Sequence, residues 1–240
     1  MKIIGITGGV GSGKTELLRY IGEHYSCRIL LSDEAAHEVT KKGGRIYEPL
    51  VQLLLQYPVP VSPEGKPSEG KPLEGEPSEE KDLEGTGSAG RTGKVLDENG
   101  EISRKEMAAR IFADGELREK VNGLIHPAVK EYILEAIREE KQKEAAGAGD
   151  AVEYFFLEAA LLIECGYRSY VDEMWYIYCD LSVRKKRLKE SRGYSDAKID
   201  SILASQLTEE EFRAGSDVVI DNSGSLADTQ EQIRRAMERK

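Results

Sequence analysis

Cysteine, histidine and long apolar runs are all scarce in this sequence. Three cysteines and three histidines occur among 240 residues, and none has the spacing of a zinc site or a disulfide framework. Each cysteine lies in or beside an apolar segment. We therefore expect reduced, buried thiols at Cys27, Cys165 and Cys179 and no metal site built from these residues.

Two further absences bear on location and partners. No apolar stretch approaches the roughly twenty residues that span a bilayer, and the chain enters a strand at once instead of presenting a signal peptide. The formal net charge of −10 argues against nucleic-acid binding through counterion release. We expect a soluble cytoplasmic protein that binds neither membrane nor nucleic acid.

Glycine, by contrast, is concentrated near the start of the chain, in the stretch GITGGVGSGKT. Gly8, Gly13, Lys14 and Thr15 match the phosphate-loop pattern G-x-x-x-x-G-K-[ST]. An apolar run precedes the pattern and helical spacing follows it, as the motif requires. A glycine-rich turn with an unoccupied lysine is the alternative interpretation.

These residue types suit phosphate chemistry. Glycines let backbone N–H groups converge on one anion, and the start of the following helix adds the positive end of its dipole. Lys14 can reach the β- and γ-phosphates, and the hydroxyl of Thr15 suits a Mg²⁺ ion shared with them. The sequence therefore predicts a site for a nucleoside triphosphate.

Residues 58–94 differ in composition from the rest of the chain. They contain near-repeats of E-G-K-P and almost no large apolar side chains, so they cannot bury enough surface to offset the loss of chain entropy. We predict a disordered low-complexity insertion. A segment that docks a partner is the functional alternative.

Outside the insertion, strands and helices alternate. The phosphate loop follows the first strand, and four later segments read as strands: residues 28–32, 154–157, 174–180 and 216–222. This order predicts an α/β fold in which a five-stranded parallel sheet is flanked by helices and the ligand binds at the carboxyl ends of the strands. Residues 103–144 are largely helical by pattern, with a break expected near His126 and Pro127.

A small-molecule kinase fits these patterns better than a GTP-binding switch, because the guanine-reading N-K-x-D string does not occur. The D-x-x-G match at residues 97–100 is interpreted as a turn. Asp33 directly follows the second strand and could orient or deprotonate an alcohol, or could simply cap the next helix. The basic run at residues 184–192 could close over phosphates or form a solvated helix face.

Six segments, in this order, resemble the dephospho-CoA kinase family. They are GITGGVGSGKT, SDEAAHEV, GEISRKEMAARIFAD, LIHPAV, LLIE and DVVIDNSGS. The similarity covers nearly the whole chain except the insertion. It implies a P-loop kinase fold and transfer of the γ-phosphoryl group of ATP to the ribose 3′-hydroxyl of dephospho-CoA, with Mg²⁺.

The resemblance also implies roles for individual residues. Asp33 would be the catalytic base, with Lys14, Arg187 and Arg192 as catalytic cations. The expected nucleotide and metal site comprises Gly9, Val10, Gly11, Ser12, Gly13, Lys14 and Thr15, with Asn222 and Gly224 beside adenine and Thr15 at the metal. The expected acceptor site comprises Asp33, Arg104, Phe112 and His126.

The same resemblance implies a division of the chain. Residues 1–57 and 150–240 would form the nucleotide-binding core, with a lid at about 184–206, and residues 95–149 a helical acceptor subdomain. ATP and dephospho-CoA would be its small-molecule partners. We expect a monomer or a weak homo-oligomer.

Several positions depart from the family pattern. Glu158 stands where an aspartate is usual, and Ile202 and Phe212 replace an arginine and a lysine. Loss of cations should weaken stabilisation of transition-state charge. Two alternatives therefore remain: a related kinase of another nucleoside or pantetheine-like alcohol, and a nucleotide-binding regulatory protein with little turnover.

Overall fold

The structure is a computed structural model, and it describes residues 1–57 and 94–239. The predicted low-complexity insertion, apart from Lys94, lies outside the described residues. The described strands are β1 (Lys2–Thr7), β2 (Cys27–Leu31), β3 (Tyr154–Glu158), β4 (Glu173–Tyr178) and β5 (Val218–Asp221). The described α-helices are α1 (Lys14–His24), α2 (Ser32–Thr40), α3 (Tyr47–Leu55), α4 (Arg104–Ala113), α5 (Gly115–Ala145), α6 (Leu181–Arg192), α7 (Asp196–Ala204), α8 (Glu209–Ala214) and α9 (Leu226–Met237).

The sheet is parallel, five-stranded and ordered β2-β3-β1-β4-β5. This confirms the α/β fold expected from the sequence. β1 is the central strand, so the loop that follows it opens at the middle of the carboxyl edge, where ligands bind in folds of this class. In register, Glu158 of β3 lies between Ile6 of β1 and Leu31 of β2.

The three inner strands, β1, β3 and β4, are largely buried on both faces, which explains their nearly continuous apolar sequences. On one face, Ile6, Trp175 and Ile177 pack into a core with Leu17 of α1 and Ile233 of α9. Successive side chains of a strand point to opposite faces. Tyr176 accordingly stacks on the other face against Phe212 of α8, with ring centroids 4.8 Å apart.

The described chain divides into two compact units. Of the described residues, the first contains 1–32 and 136–239, and with them the whole sheet; the second contains 33–57 and 94–135. The second unit has its own apolar core, in which Leu50 and Leu54 of α3 pack with Ile111 of α4 and with Leu117 and Val121 of α5. α2 and α3 thus belong with the helical unit.

α5 continues through Pro127 from Gly115 to Ala145, so the break expected there is wrong. The chain instead changes direction at Asp114, whose carboxylate Oδ1 accepts the backbone N–H groups of Glu116 and Leu117 at 2.9 and 3.0 Å. A proline within a helix removes one backbone donor. Here the flanking apolar positions, including buried Ala128 and Val129, hold the helix together across it.

The sequence led us to expect that all three cysteines are buried, but the structure shows that they are not. Cys179 is buried and Cys27 half-buried, but Cys165 is exposed. The expectation of a buried thiol is wrong at Cys165, because its turn lies on the surface although the preceding residues are apolar. Within the described ranges, no helix combines the length and the apolar character needed to cross a membrane.

Residues 97–100 form a turn, as predicted. The N–H of Gly100 donates to the carbonyl of Asp97 at 3.1 Å, and Gly100 has φ 79°. A bridge between Leu96 and Ile102 closes the turn. The D-x-x-G match at these positions is therefore a structural turn.

Candidate active site

The phosphate loop, residues 8–15, joins the carboxyl end of β1 to α1. Gly8, Gly11 and Gly13 have φ of 150°, 81° and 93°, values that favour glycine. A Cβ at Gly8 would also lie only 2.7 Å from the carbonyl oxygen of Ile177. The glycines are required by both the backbone conformation and the close packing of β4 against the loop.

Lys14, the first residue of α1, is largely enclosed. Its Nζ donates to the carbonyl oxygen of Gly8 at 2.8 Å and lies 3.6 Å from Oε1 of Glu158. The two side chains are 14% and 16% exposed. This places an ammonium group and a carboxylate together at the loop, on the edge of the sheet where β1 and β3 end.

Ser12 and Thr15 have contrasting surroundings. Ser12 is buried, and its hydroxyl oxygen has no hydrogen-bond partner among the described residues. Thr15, in the first turn of α1, is exposed. A hydroxyl in that position can serve as an oxygen ligand to a hard cation, whereas Ser12 is enclosed by the protein.

Asn222, just beyond β5, ties its own loop to the phosphate loop. Its Nδ2 donates to the carbonyl oxygen of Ser12 at 2.7 Å, and its Oδ1 accepts from Oγ1 of Thr229 at 3.0 Å. A Cβ at Gly13 would overlap this Nδ2. The structure therefore brings Asn222 to the phosphate loop, and Gly224 lies two residues later. A place beside adenine for these two residues stays a prediction.

Arg187 of α6 reaches the same region. Its Nη2 donates to the carbonyl oxygen of Asn222 at 3.0 Å, and its Nη1 lies 3.5 Å from the carbonyl oxygen of Ser12 and 3.3 Å from Sγ of Cys179. Burial raises the pKa of the Cys179 thiol, which keeps it protonated. The guanidinium therefore bridges the two loops that meet here.

Arg184 lies one helical turn before Arg187; the sequence included it in the basic run 184–192 but did not single it out. Its Nε donates to the carbonyl oxygen of Val10 at 3.1 Å and its Nη2 to Oε1 of Gln206 at 2.9 Å. Gln206 accepts the backbone N–H of Val10 at 3.2 Å as well. The spacing of three residues places both arginines on one face of α6, which is the signal that the sequence offered.

Arg192, by contrast, ends α6 on an exposed part of the surface. Its guanidinium carbon lies 5.9 Å from the centre of the Tyr194 ring. The structure thus brings Arg187 to the phosphate loop together with Lys14 and leaves Arg192 beside Tyr194. A lid movement of residues 184–206 stays a prediction.

The predicted acceptor residues belong to the helical unit. Asp33 is the second residue of α2 and is exposed; the helix begins one residue earlier, at Ser32, so Asp33 lies in the first turn. His37 Nδ1 lies 3.2 Å from Nη2 of Arg104, which is the first residue of α4. Phe112 has 60% of its surface exposed, which leaves an aromatic face available for a ligand.

His126 is exposed on α5. Within the described ranges, no group of three or more histidine, cysteine, aspartate or glutamate side chains could hold a metal ion.

The two positions that lack the cations of the family pattern are packed into the protein. Ile202 of α7 is buried, and Phe212 of α8 stacks on Tyr176 with an angle of 5° between the rings. Both side chains contribute to the core. Compared with the arginine and lysine of the family pattern, Ile202 and Phe212 carry no charge and add apolar packing.

Comparison with known proteins gives a consistent result. A family profile described as dephospho-CoA kinase matches residues 2–58 and 90–228. The dephospho-CoA kinase of Streptococcus mutans is 28% identical over 238 residues, covering 99% of this chain and 97% of that protein. The dephospho-CoA kinase of Geobacter sulfurreducens is 29% identical, covering 99% and 96%.

Solved structures show the same fold. A dephospho-CoA kinase from Campylobacter jejuni has a TM-score of 0.64 at 19% identity, covering 99% of this chain and 96% of that one. A Thermus thermophilus protein has a TM-score of 0.65 at 22% identity, covering 98% and 96%. With the family profile matching most of its length, this chain belongs to the dephospho-CoA kinase family.

Proposed function

We propose how this chain carries out the reaction of its family, the ATP-dependent phosphorylation of dephospho-CoA that completes coenzyme A synthesis. The observation that carries the proposal is the phosphate loop, in which three glycines with positive φ place Lys14 at the end of the central strand. Such a loop binds the phosphates of a nucleoside triphosphate. The identity of the acceptor, dephospho-CoA, follows from membership of the family.

The chemistry is an in-line transfer. The 3′-hydroxyl oxygen of the acceptor forms a bond to the γ-phosphorus of ATP while the bond from that phosphorus to the β–γ bridging oxygen breaks. ADP leaves with the electron pair, and the hydroxyl proton passes to a base and then to solvent. The protein contributes chiefly by positioning the two substrates and stabilising charge.

On the ATP side, Lys14 and Arg187 would bind the phosphates. Both lie at the loop, Lys14 through its bond to Gly8 and Arg187 through its contacts with Ser12 and Asn222. Bound Mg²⁺ would supply positive charge that offsets the charge of the phosphates. Thr15 fits as its protein ligand, because Mg²⁺ usually takes only one or two protein oxygens beside phosphates and water.

On the acceptor side, Asp33 would accept the hydroxyl proton. It is the second residue after β2, and its side chain is exposed. Glu158, the last residue of β3, is a second candidate carboxylate, but its neighbour is the ammonium group of Lys14. This pairing favours Asp33 as the base, since an ion-paired carboxylate is a weaker proton acceptor.

Arg104, Phe112 and His126 would hold the rest of dephospho-CoA. Arg104 supplies a cation for its phosphates, and the exposed ring of Phe112 supplies an apolar surface for its pantetheine or adenine. His126 adds a polar group on α5.

We further propose that the enzyme works in the cytoplasm, where both substrates are found. We also propose that it is a monomer or a weak homo-oligomer, which sedimentation at several concentrations would test.

The product tests the proposal. Incubation with ATP and dephospho-CoA should give a compound with one added phosphoryl group on the ribose 3′-oxygen, detected by mass spectrometry and phosphorus NMR. It should also support an acyltransferase that requires coenzyme A. Phosphate on another oxygen, or no phosphorylated acceptor, would contradict the proposed function.

A further inference from the structure

Arg184 is a cation with an unusual set of neighbours. Both of its hydrogen bonds go to neutral oxygens, the carbonyl of Val10 and the side-chain amide of Gln206. In the part of the chain that the structure describes, no carboxylate lies within ion-pair distance of it. The guanidinium is half-buried, and burial lowers its pKa.

Many arginines elsewhere in the described chain have carboxylate partners, whereas Arg187, like Arg184, bonds to neutral atoms at the phosphate loop. The paired residues include Arg19, Arg28, Arg45, Arg110, Arg168, Arg213, Arg234 and Arg235. The difference matters because a charge withdrawn from water without a counter-ion costs free energy. An anion arriving beside Arg184 would offset that cost.

The guanidinium lies against the phosphate loop itself. A Cβ at Gly9 would overlap Nη2 of Arg184, so the arginine occupies the space that a side chain at that position would need. Lys14 and Arg187 lie at the same loop. An anion that contacts all three cations at once must carry several charged oxygens. At a phosphate loop, such an anion is a polyphosphate.

Gln206 explains how the guanidinium is held there without losing its charge. One oxygen, Oε1, accepts from both Nη2 of Arg184 and the backbone N–H of Val10. Glutamine fixes the position of the cation as an acceptor yet remains neutral. A glutamate of the same shape would supply a permanent counter-ion and compete with the ligand.

We propose that Arg184 is a built-in counter-charge for the ATP phosphates, and that Gln206 is the positioning residue that orients it without neutralising it. This inference rests on one part of the proposed function, the binding of ATP at the phosphate loop, and not on the identity of the acceptor. Because the guanidinium is oriented by the loop in advance, its charge is available to the ligand with little loss of side-chain entropy.

Gln206→Glu is the decisive variant, because a purely structural role and a ligand-binding role predict opposite results. If the contact only holds α6 to the loop, glutamate forms an ion pair with Arg184, thermal stability is equal or higher, and ATP affinity is unchanged. If Arg184 serves ATP, the same variant keeps its stability but binds ATP about tenfold or more weakly, as a charge-assisted contact is lost.

The experiment measures ATP and AMP dissociation constants by calorimetric titration, with thermal unfolding on the same samples. Arg184→Gln should weaken the binding of ATP by a similar factor and the binding of AMP by less. Arg234→Gln is the control, since the Arg234 guanidinium is exposed and paired with Glu231. Parent-like ATP affinity in folded Gln206→Glu overturns the proposal. A wild-type chain that binds ATP in this arginine-dependent way but leaves dephospho-CoA unmodified would contradict only the acceptor assignment.

Discussion

The side-chain amide of Asn222 donates to the backbone carbonyl of Ser12 at 2.7 Å, a buried bond between residues 210 positions apart. It joins the loop after β5 to the phosphate loop after β1. Oγ1 of Thr229 completes the arrangement by donating to Oδ1 of Asn222 at 3.0 Å. The geometry of the phosphate loop therefore depends on the last strand of the sheet.

Replacing Asn222 by alanine should destabilise the protein by about 1–3 kcal/mol, because the Ser12 carbonyl and the Thr229 hydroxyl both lose a buried partner. Urea unfolding measures the loss. Asn99→Ala is the matched control, since Asn99 is exposed in a turn. Equal stability of the two variants would show that the bond contributes nothing to folding.

Lys14→Ala should lower kcat by about 10²–10³-fold, the scale of a lost transition-state donor, while thermal stability changes little. The reason is that Nζ lies at the phosphate loop, where it donates to the carbonyl of Gly8 and faces the Glu158 carboxylate, and not in the apolar core. Steady-state kinetics and thermal unfolding are measured together. Lys186→Ala, at an exposed site on α6, should retain parent kinetics; a similar loss there would point to a general effect of surface charge.

Asp33→Asn should bind ATP and dephospho-CoA with affinities within a few-fold of the parent but lower kcat by about two orders of magnitude or more. Asparagine keeps the shape and loses the charge that accepts the proton. Binding titrations and single-turnover kinetics separate the two effects. Glu34→Gln is the control, because Glu34 is the next exposed residue of α2.

An unchanged kcat in Asp33→Asn would contradict its role as base and turn attention to Glu158. Loss of ATP binding would instead assign the Asp33 carboxylate to the metal. Either result would leave the phosphate-loop assignment intact, since that depends on residues 8–15.

Phe212→Lys should destabilise the protein by about 3 kcal/mol or more instead of improving catalysis. Phe212 is 3% exposed and stacks on Tyr176, so the change removes aromatic packing and places an ammonium group in the core. Leu226→Lys, at a position 50% exposed, is the control for adding a lysine. A stable Phe212→Lys variant with higher kcat would contradict this assignment of the position to the core.

The parts of the fold that could be predicted from the sequence are those governed by local pattern. Apolar runs located the four later strands to within two residues at each end, and the glycine motif placed the phosphate loop after the first strand. Helix continuity across Pro127 could not be predicted, because packing on either side outweighs one missing donor. The exposure of Cys165 likewise depends on where its turn lies in three dimensions.

The site was partly predictable for the same reason. Lys14 and Asn222 belong to motifs with fixed spacing, whereas the role of Arg184 depends on α6 packing against a loop more than 170 residues earlier. A run of basic residues does not reveal which of them faces solvent. Only the positions of Val10 and Gln206 distinguish Arg184 from its neighbours.

The most direct test of the central claim is ADP release from ATP by the purified chain, measured with and without dephospho-CoA in a coupled assay. The assignment to dephospho-CoA kinase predicts slow release alone and strong stimulation by dephospho-CoA, with one coenzyme A formed for each ADP. Release that dephospho-CoA does not stimulate, or stimulation by another alcohol to a greater extent, would contradict it.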